Sequence, residues 1–203
     1  MRTIILASQS PRRRELLEQA GYIFKIIPST VEETVTCNEP SEVVKELAMQ
    51  KARDVFEKCS RDASDDGYTS AQLLVIGADT VVAADGNILG KPESVKHAKE
   101  MIHCLQGKTH YVHTGVAFVW ADERTGLLRT HCFSESTAVS CYPMTEEEIT
   151  AYVNTGECMD KAGAYGIQGR FGIFIRNITG DYNNVVGLPI SAVYHQLIKC
   201  GLQ

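Results

Sequence analysis

The sequence lacks the features that define secreted and membrane-spanning proteins. None of its seven cysteines forms a CxxC pair, and their odd number fits reduced, mostly buried thiols better than a disulfide framework. No apolar run approaches the roughly 20 residues of a membrane span, and no basic and apolar leader precedes the strand-like sequence at Ile4. We therefore expect a cytoplasmic protein that has no membrane partner.

An excess of basic charge is also absent, since the 203 residues carry a formal net charge of −5. Proteins that coat nucleic acid need a basic face that displaces counterions from phosphates, so we expect no nucleic-acid polymer as a partner. Any bound polyanion must instead meet a local basic pocket. Apolar residues make up 44% of the chain, which is enough for a sizeable core, and we predict a single domain over residues 1–203.

The order of the predicted elements defines the fold class. Strand patterns cover residues 3–7, 22–27, 73–77, 81–84, 111–120, 127–141 and 171–178. Helix patterns begin at residue 10 and cover residues 41–58, 94–105, 145–156 and 189–200, and the polar stretch 60–72 is predicted to be a surface loop. Strands and helices alternate early and strands dominate the middle, which predicts an α/β fold with a mixed sheet flanked by helices.

Three arginines occupy the first turn of the first predicted helix. Arg12, Arg13 and Arg14 follow a serine and a proline that are typical of a helix start. Each cation there faces the positive end of the helix dipole, at a cost of about 0.3–1 kcal/mol. A bound phosphate would offset that cost, because helix N-termini present unpaired N–H groups. The alternative is that Glu15 and Glu18 neutralise arginines that remain solvated.

Lys51 and Asp79 are charged residues beside apolar sequence. Lys51 falls on the same helical face as Val44 and Val55, so it either has an anionic partner or extends past the core to solvent. Asp79 directly follows the apolar run LLVIGA, which predicts a carboxylate at the end of a buried strand, where α/β proteins bind ligands. A turn or helix-capping aspartate is the alternative.

Further carboxylates could complete a site for a hard cation. Glu32 and Glu33 lie on a predicted acidic loop, and together with Asp79 they would offer oxygen ligands that suit Mg²⁺ or Mn²⁺. Paired glutamates on a surface are more often only solvated. His110 and His113 are three residues apart in a strand pattern, which puts them on opposite faces and argues against a shared zinc ion.

Residues 160–169 are rich in glycine but form no phosphate-binding loop of a known type. The segment DKAGAYGIQG does not join a strand to a helix, as a dinucleotide fingerprint or P-loop does. Its glycines would allow backbone N–H groups to approach an anion, and Gln168 offers a donor and an acceptor to the edge of a base. A flexible surface turn is the alternative.

Five motifs together resemble the Maf family along the whole chain. They are LASQSPRR near the start, GADTVV, GKP, DKAGAYGIQG and VVGLP, in that order. The resemblance implies a mixed α/β fold like that of inosine-triphosphate pyrophosphatases, with two lobes around a deep cleft. It also implies a nucleoside triphosphate pyrophosphatase that uses a divalent metal cation, Mg²⁺ or Mn²⁺.

The same resemblance implies roles for individual residues. The family's serine matches Ser8 or Ser10, and we carry over Ser8. The implied phosphate contacts are Ser8, Arg13, Lys51 and Lys91; the catalytic proton acceptor is Asp79, which with Glu33 would also hold the metal; the specificity positions are Arg12, Thr80 and Gln168.

The branch of the family that acts on dTTP and UTP resembles this chain most. The implied reaction yields the nucleoside monophosphate and pyrophosphate, with house-cleaning of modified nucleotides as a further expectation. Alternatives are a pyrophosphatase for modified purine nucleotides such as 7-methyl-GTP, a nucleotide-sensing regulator of cell division and septum formation, and a nucleotide carrier without activity. The resemblance also implies a homodimer.

Overall fold

The computed structural model describes residues 2–62 and 70–203. Its strands are β1 (Thr3–Leu6), β2 (Phe24–Ile26), β3 (Leu73–Ala84), β4 (Asn87–Leu89), β5 (Thr109–Ala121), β6 (Leu128–Cys141) and β7 (Ile175–Thr179). Its helices are α1 (Pro11–Gln19), α2 (Pro40–Asp62), α3 (Val95–Leu105), α4 (Glu146–Val153), α5 (Tyr182–Val186) and α6 (Ile190–Lys199), with short 3₁₀ turns at Ser70–Gln72, Ala162–Ala164 and Arg170–Phe174. Most of the predicted surface loop 60–72 lies outside the described residues.

The described strands form one mixed sheet. Their order is β2-β1-β3-β5-β6-β7, and β4 pairs with β3 beside this path. Strand β1 is parallel to β2 and to β3, whereas the β3–β4 and β6–β7 pairs are antiparallel. This sheet, with its accompanying helices, confirms the predicted α/β class. Among the described residues, no helix combines the length and apolar character that crossing a bilayer requires.

The chain divides into two compact units, each built from separate stretches of sequence. Unit 1 contains Met1–Asp79, Thr114–Ser134 and Gly187–Gln203, and unit 2 contains Thr80–His113 and Glu135–Val186. The single domain predicted over residues 1–203 remains a prediction.

In unit 1, two glycines allow helix α2 to lie directly on the sheet. A Cβ atom at Gly77 would overlap the carbonyl oxygen of Ala48 and lie 2.9 Å from the Cβ of Ala52. A Cβ atom at Gly115 would overlap the carbonyl oxygen of Val44. Val44 and Val55, which the sequence places on one apolar face of this helix, are both buried in the core. Helix α2 therefore approaches β3 closely at Gly77, which precedes Asp79 by two residues in the sequence.

Unit 2 has its own core around helices α3 and α4. Phe171 is fully buried, and its ring lies 5.1 Å from the ring of Tyr152 and 4.8 Å from that of Tyr165. The start of α4 has the predicted capping box, in which the Thr145 side chain accepts from the Glu148 N–H and the Glu148 side chain accepts from the Thr145 N–H. These caps satisfy N–H groups that a helix start otherwise leaves unpaired.

Two predicted strands differ from the observed ones. The strand predicted to end before Asp79 continues as β3 to Ala84, because Val81 and Val82 are buried and the final residues pair with β4. The strand predicted over residues 171–178 begins as a 3₁₀ turn, closed by the Gly172 N–H donating to the Gly169 carbonyl. The extended backbone starts only at Ile175.

Candidate active site

The loop between β1 and α1 holds the side chains of Ser8 and Arg13 together. Ser8 is buried, and its Oγ accepts from the Ser10 N–H at 3.2 Å and from Arg13 Nη1 at 3.1 Å. Arg13 Nε donates to the carbonyl of Gly187 at 2.8 Å. Ser10 occupies the cap position of α1 but makes no capping hydrogen bond through its side chain. The buried serine of this loop is therefore the one that contacts the arginine.

The three arginines of α1 differ in their surroundings. Arg14 forms an ion pair with Glu18 at 3.3 Å, and both side chains are about half exposed, as the solvated alternative predicts. Burial lowers the pKa of Arg13, with the neighbouring charge of Arg12 adding to this effect, whereas the charges of Asp79 and Glu33 raise it. An arginine stays protonated at neutral pH even so. Arg13 is thus a partly buried cation at a helix start, within the field of two carboxylates.

Lys51 lies between the two carboxylates. Its Nζ is 2.5 Å from Asp79 Oδ1 and 2.9 Å from Glu33 Oε1. The Lys51 and Asp79 side chains are 16% and 15% exposed, and that of Glu33 is 47% exposed. The sequence left two alternatives for a lysine on the apolar face of α2, an anionic partner or extension past the core to solvent, and the structure shows two anionic partners.

The local charges explain how this group of residues can be stable without ligand. The cations of Arg13 and Lys51 balance the carboxylates of Glu33 and Asp79. A desolvated charge is costly when it has no partner, so this balance favours the arrangement. A triphosphate would add negative charge, and the cations would then have oxygen atoms of the phosphates as further partners.

The carboxylates also fit a hard divalent cation. Two oxygens, one from Glu33 and one from Asp79, converge on a single point that the Lys51 ammonium group occupies. Mg²⁺ is commonly bound through one or two carboxylates, with water and substrate phosphates as its other ligands. Within residues 2–62 and 70–203, no group of three or more His, Cys, Asp or Glu side chains could hold a metal. The two carboxylates match the number of protein ligands that Mg²⁺ commonly uses.

Of the remaining predicted site residues, Arg12 is partly exposed on α1 of unit 1, and the other three belong to unit 2. Thr80 follows Asp79 on β3 and is partly exposed, and Lys91 is exposed two residues after β4. Gln168 is exposed on the loop that precedes the Arg170–Phe174 turn. Successive residues of a strand point to opposite faces, so Thr80 and Asp79 present their side chains in different directions.

Two contacts in the structure had little signal in the sequence. The carbonyl of Gly187 is 174 residues from Arg13, and only its place in the VVGLP motif marked it. His110, which strand spacing argued against as a zinc ligand shared with His113, is buried, and its Nε2 lies 2.7 Å from the Tyr165 hydroxyl. Burial lowers the pKa of His110 to about 4, so the imidazole is neutral at pH 7.

Comparison with known proteins places the chain in a family. A family model described as Maf-like protein matches residues 3–200. The chain therefore belongs to the Maf-like protein family, as its motifs predicted.

Named relatives cover nearly the whole chain. A protein of Agathobacter rectalis is 52% identical over 204 residues, which cover 100% of this chain and 99% of the relative. A protein of Bacillus thuringiensis and one of Bacillus cereus are each 50% identical over 198 residues, covering 97% of this chain and 95% of each relative. All three carry the name dTTP/UTP pyrophosphatase.

Proposed function

We propose that this chain is a nucleoside triphosphate pyrophosphatase that hydrolyses dTTP and UTP to the nucleoside monophosphate and pyrophosphate. The observation that carries the proposal is the position of Lys51 between Asp79 and Glu33, two carboxylates that also interact electrostatically with the partly buried Arg13. The names of relatives that are about half identical over the full chain support the choice of substrate.

Binding would begin with the phosphates. Ser8 and Arg13 lie at the start of α1, where the helix dipole and the guanidinium both favour an anion. Lys51 would donate to phosphate oxygens as they displace one of its carboxylate partners. Lys91 would add a further cation from unit 2. Arginine and lysine charges of this kind stabilise the negative charge that builds up on the phosphates in the transition state.

The chemical step would be attack of water on the α-phosphorus. Asp79 would accept a proton from the water as its oxygen bonds to phosphorus, and the bond from the α-phosphorus to the bridging oxygen would break, releasing pyrophosphate. Asp79 and Glu33 would also hold a divalent cation, Mg²⁺ or Mn²⁺, which supplies Lewis-acid polarisation of the phosphates when bound. Asp79 Oδ1 contacts the Lys51 ammonium group. Loss of that contact on substrate binding would leave the oxygen free to accept the proton.

Base choice is assigned to Arg12, Thr80 and Gln168. Gln168 is exposed, and a bound base that covered its amide without pairing the donor or acceptor would be rejected, by more than a purely apolar pocket would reject it. A site that reads pyrimidines in this way would discriminate against ATP and 7-methyl-GTP. House-cleaning of modified nucleotides would be a further use of the same chemistry.

A substrate panel tests the proposal directly. The purified chain is incubated with dTTP, UTP, ATP and 7-methyl-GTP, with and without Mg²⁺, and the products are separated by ion-exchange chromatography. We expect dTTP and UTP to be the best substrates, with pyrophosphate released before any orthophosphate. Preference for 7-methyl-GTP would favour the modified-purine alternative, and binding without turnover would favour a sensor or carrier.

A matched variant tests the reading of the base. Gln168→Ala should narrow the ratio of pyrimidine to purine turnover more than it changes affinity for the triphosphate, because glutamine carries no charge. Arg14→Ala is the control, since Arg14 pairs with Glu18 at the surface and should leave the ratio unchanged.

We also propose a cytoplasmic location and a homodimer. The seven cysteines are free thiols, although only Cys59, Cys141 and Cys158 are buried, fewer than the sequence predicted. Light scattering coupled to gel filtration would measure the oligomeric state, and a mass of one chain would contradict the dimer.

A further inference from the structure

Glu157 connects the end of α4 to the loop that carries Gln168. The Glu157 side chain is half-buried, and its Oε2 accepts from the backbone N–H of Arg170 at 3.0 Å. Arg170 is the first residue of a 3₁₀ turn whose cap residue, Gly169, provides no side chain. A carboxylate distant in sequence therefore takes the place of a local cap and binds an N–H group that would otherwise have no acceptor in the turn.

Glycines on this loop fit closely around Glu157 and its neighbour Lys161. A Cβ atom at Gly169 would overlap Oε1 of Glu157, and one at Gly166 would lie 2.6 Å from Cε of Lys161. The Lys161 ammonium group is in turn held by the Glu157 carbonyl and the Asp160 carboxylate. The loop is thus shaped around two side chains, which a freely flexible turn would not require.

The two ends of the loop are fixed independently of Glu157. Before it, Tyr165 is buried and its hydroxyl lies 2.7 Å from Nε2 of His110. After it, Phe171 is fully buried against the ring of Tyr165 at 4.8 Å. Between these anchors Gln168 is exposed, and the contacts of Glu157 lie one and two residues after it.

A second feature shows that Glu157 occupies a demanding position. Its Oε1 is buried, and within the described part of the chain it has no hydrogen-bond partner. An unpaired buried acceptor is unfavourable. Because the unpaired Oε1 makes this position of Glu157 unfavourable, we look to its other oxygen, Oε2, which holds the loop through the Arg170 N–H.

We propose that Glu157 is a positioning residue for substrate selection: its carboxylate holds the backbone at Arg170 and Gly169 so that Gln168 is presented to the base in one orientation. The inference rests on the proposed function, because it assumes that Gln168 reads the base. Glu157 acts through the loop and does not touch the phosphates.

Three single variants, the double variant that combines Glu157→Ala with Gly169→Ala, and one control test the inference in the full-length protein. Glu157→Ala removes the acceptor, Glu157→Gln keeps an oxygen in nearly the same place, and Gly169→Ala forces a methyl group into the carboxylate. Glu146→Ala removes an exposed carboxylate from α4, 74% exposed, as the control. For each we would measure kcat and KM for dTTP and ATP, the melting temperature, and the hydrogen exchange rate of the Arg170 amide.

We expect Glu157→Ala to speed exchange at Arg170 by about tenfold or more, the effect of losing a hydrogen bond to a charged acceptor. It should raise KM for dTTP and lower the preference for dTTP over ATP towards the value of Gln168→Ala, with kcat changed less. Glu157→Gln should remain close to the unsubstituted protein in both the exchange rate of the Arg170 amide and the preference for dTTP over ATP. Gly169→Ala should resemble Glu157→Ala, and the double variant should be no worse than Gly169→Ala alone because the overlap is relieved.

The outcomes separate the inference from the proposed function. If Gln168→Ala shifts the substrate ratio but Glu157→Ala does not, the inference is overturned and the proposed function stands. If Gln168→Ala leaves the ratio unchanged, base reading by Gln168 fails, and the inference falls with it. A lower melting temperature with an unchanged ratio would show that Glu157 is only structural and would also overturn the inference.

Discussion

Asp79→Asn separates the catalytic role of Asp79 from its structural one. The amide is close in shape to the carboxylate, and its oxygen can still accept from Lys51, which also keeps Glu33 at 2.9 Å. The change replaces a charge-assisted hydrogen bond with a neutral one, so we expect a loss of about 1–2 kcal/mol in the free energy of unfolding. For a chain of this size that lowers the melting temperature by about 2–8 °C.

The effect on turnover should be much larger than the effect on stability. Loss of a general base costs about 10²- to 10⁴-fold in rate, and an amide is also a poorer metal ligand than a carboxylate. A protein destabilised by only 1–2 kcal/mol stays folded at 25 °C, so unfolding cannot account for such a loss. The assay is release of pyrophosphate from dTTP at saturating Mg²⁺, with the melting temperature measured on the same sample.

Asp85→Asn is the matched control for this experiment. Asp85 also pairs with a lysine, Lys108, at 2.7 Å, but both side chains are more than half exposed. Exposed ion pairs contribute about 0–1 kcal/mol, so turnover should be unchanged and the melting temperature nearly so. If Asp79→Asn kept turnover within about tenfold of the unsubstituted protein, with the same dependence on Mg²⁺, Asp79 would not be the base.

Further expectations concern metal binding, packing and pH. Lys51→Met should bind Mn²⁺ more tightly without nucleotide, because the two carboxylates lose their shared ammonium; equal or weaker binding by calorimetry would contradict this. Gly77→Ala should destabilise the protein by about 1–3 kcal/mol in urea titrations through overlap with Ala48, whereas Gly90→Ala, with open space around it, should be nearly neutral. Burial lowers the pKa of His110 from 6.5 to about 4, so its neutral form is favoured on folding. About 3 kcal/mol of stability should be fully present above pH 6.5 and lost as the pH falls towards 4, and His110→Phe should flatten that dependence in urea titrations at pH 7 and 4.5.

Sequence reasoning located the charged residues of unit 1 better than their contacts. Helical periodicity put Lys51 on the buried face of α2, since the face of a regular helix follows from spacing, but it did not decide between an anionic partner and extension to solvent. Asp79 was expected beyond the end of a strand, because an apolar run followed by polar residues is typical of a strand end. The run continues as β3 through Asp79, since burial resumes at Val81.

The glycine-rich segment shows a different limit. Its composition predicted either approach to an anion or a flexible turn, and both ideas treat glycine as a source of backbone freedom. In the structure, Gly166 and Gly169 leave room for the side chains of Lys161 and Glu157. Such a fit depends on residues that the backbone brings together in space, and spacing alone does not reveal it.

The hydrogen bond from Arg13 to Gly187 has a consequence for synthesis of the chain. The donor and acceptor are separated by 174 residues. Because ribosomes add about 5–20 residues per second, roughly 9–35 seconds pass between the synthesis of Arg13 and that of its acceptor. Both segments of unit 2 are made in that interval, together with the Thr114–Ser134 segment of unit 1, and the last segment of unit 1 begins at Gly187. A chain released before Gly187 would contain Arg13, Glu33, Lys51 and Asp79 but would lack the carbonyl that accepts from the Arg13 guanidinium. Cellular quality control would therefore encounter an incompletely folded protein.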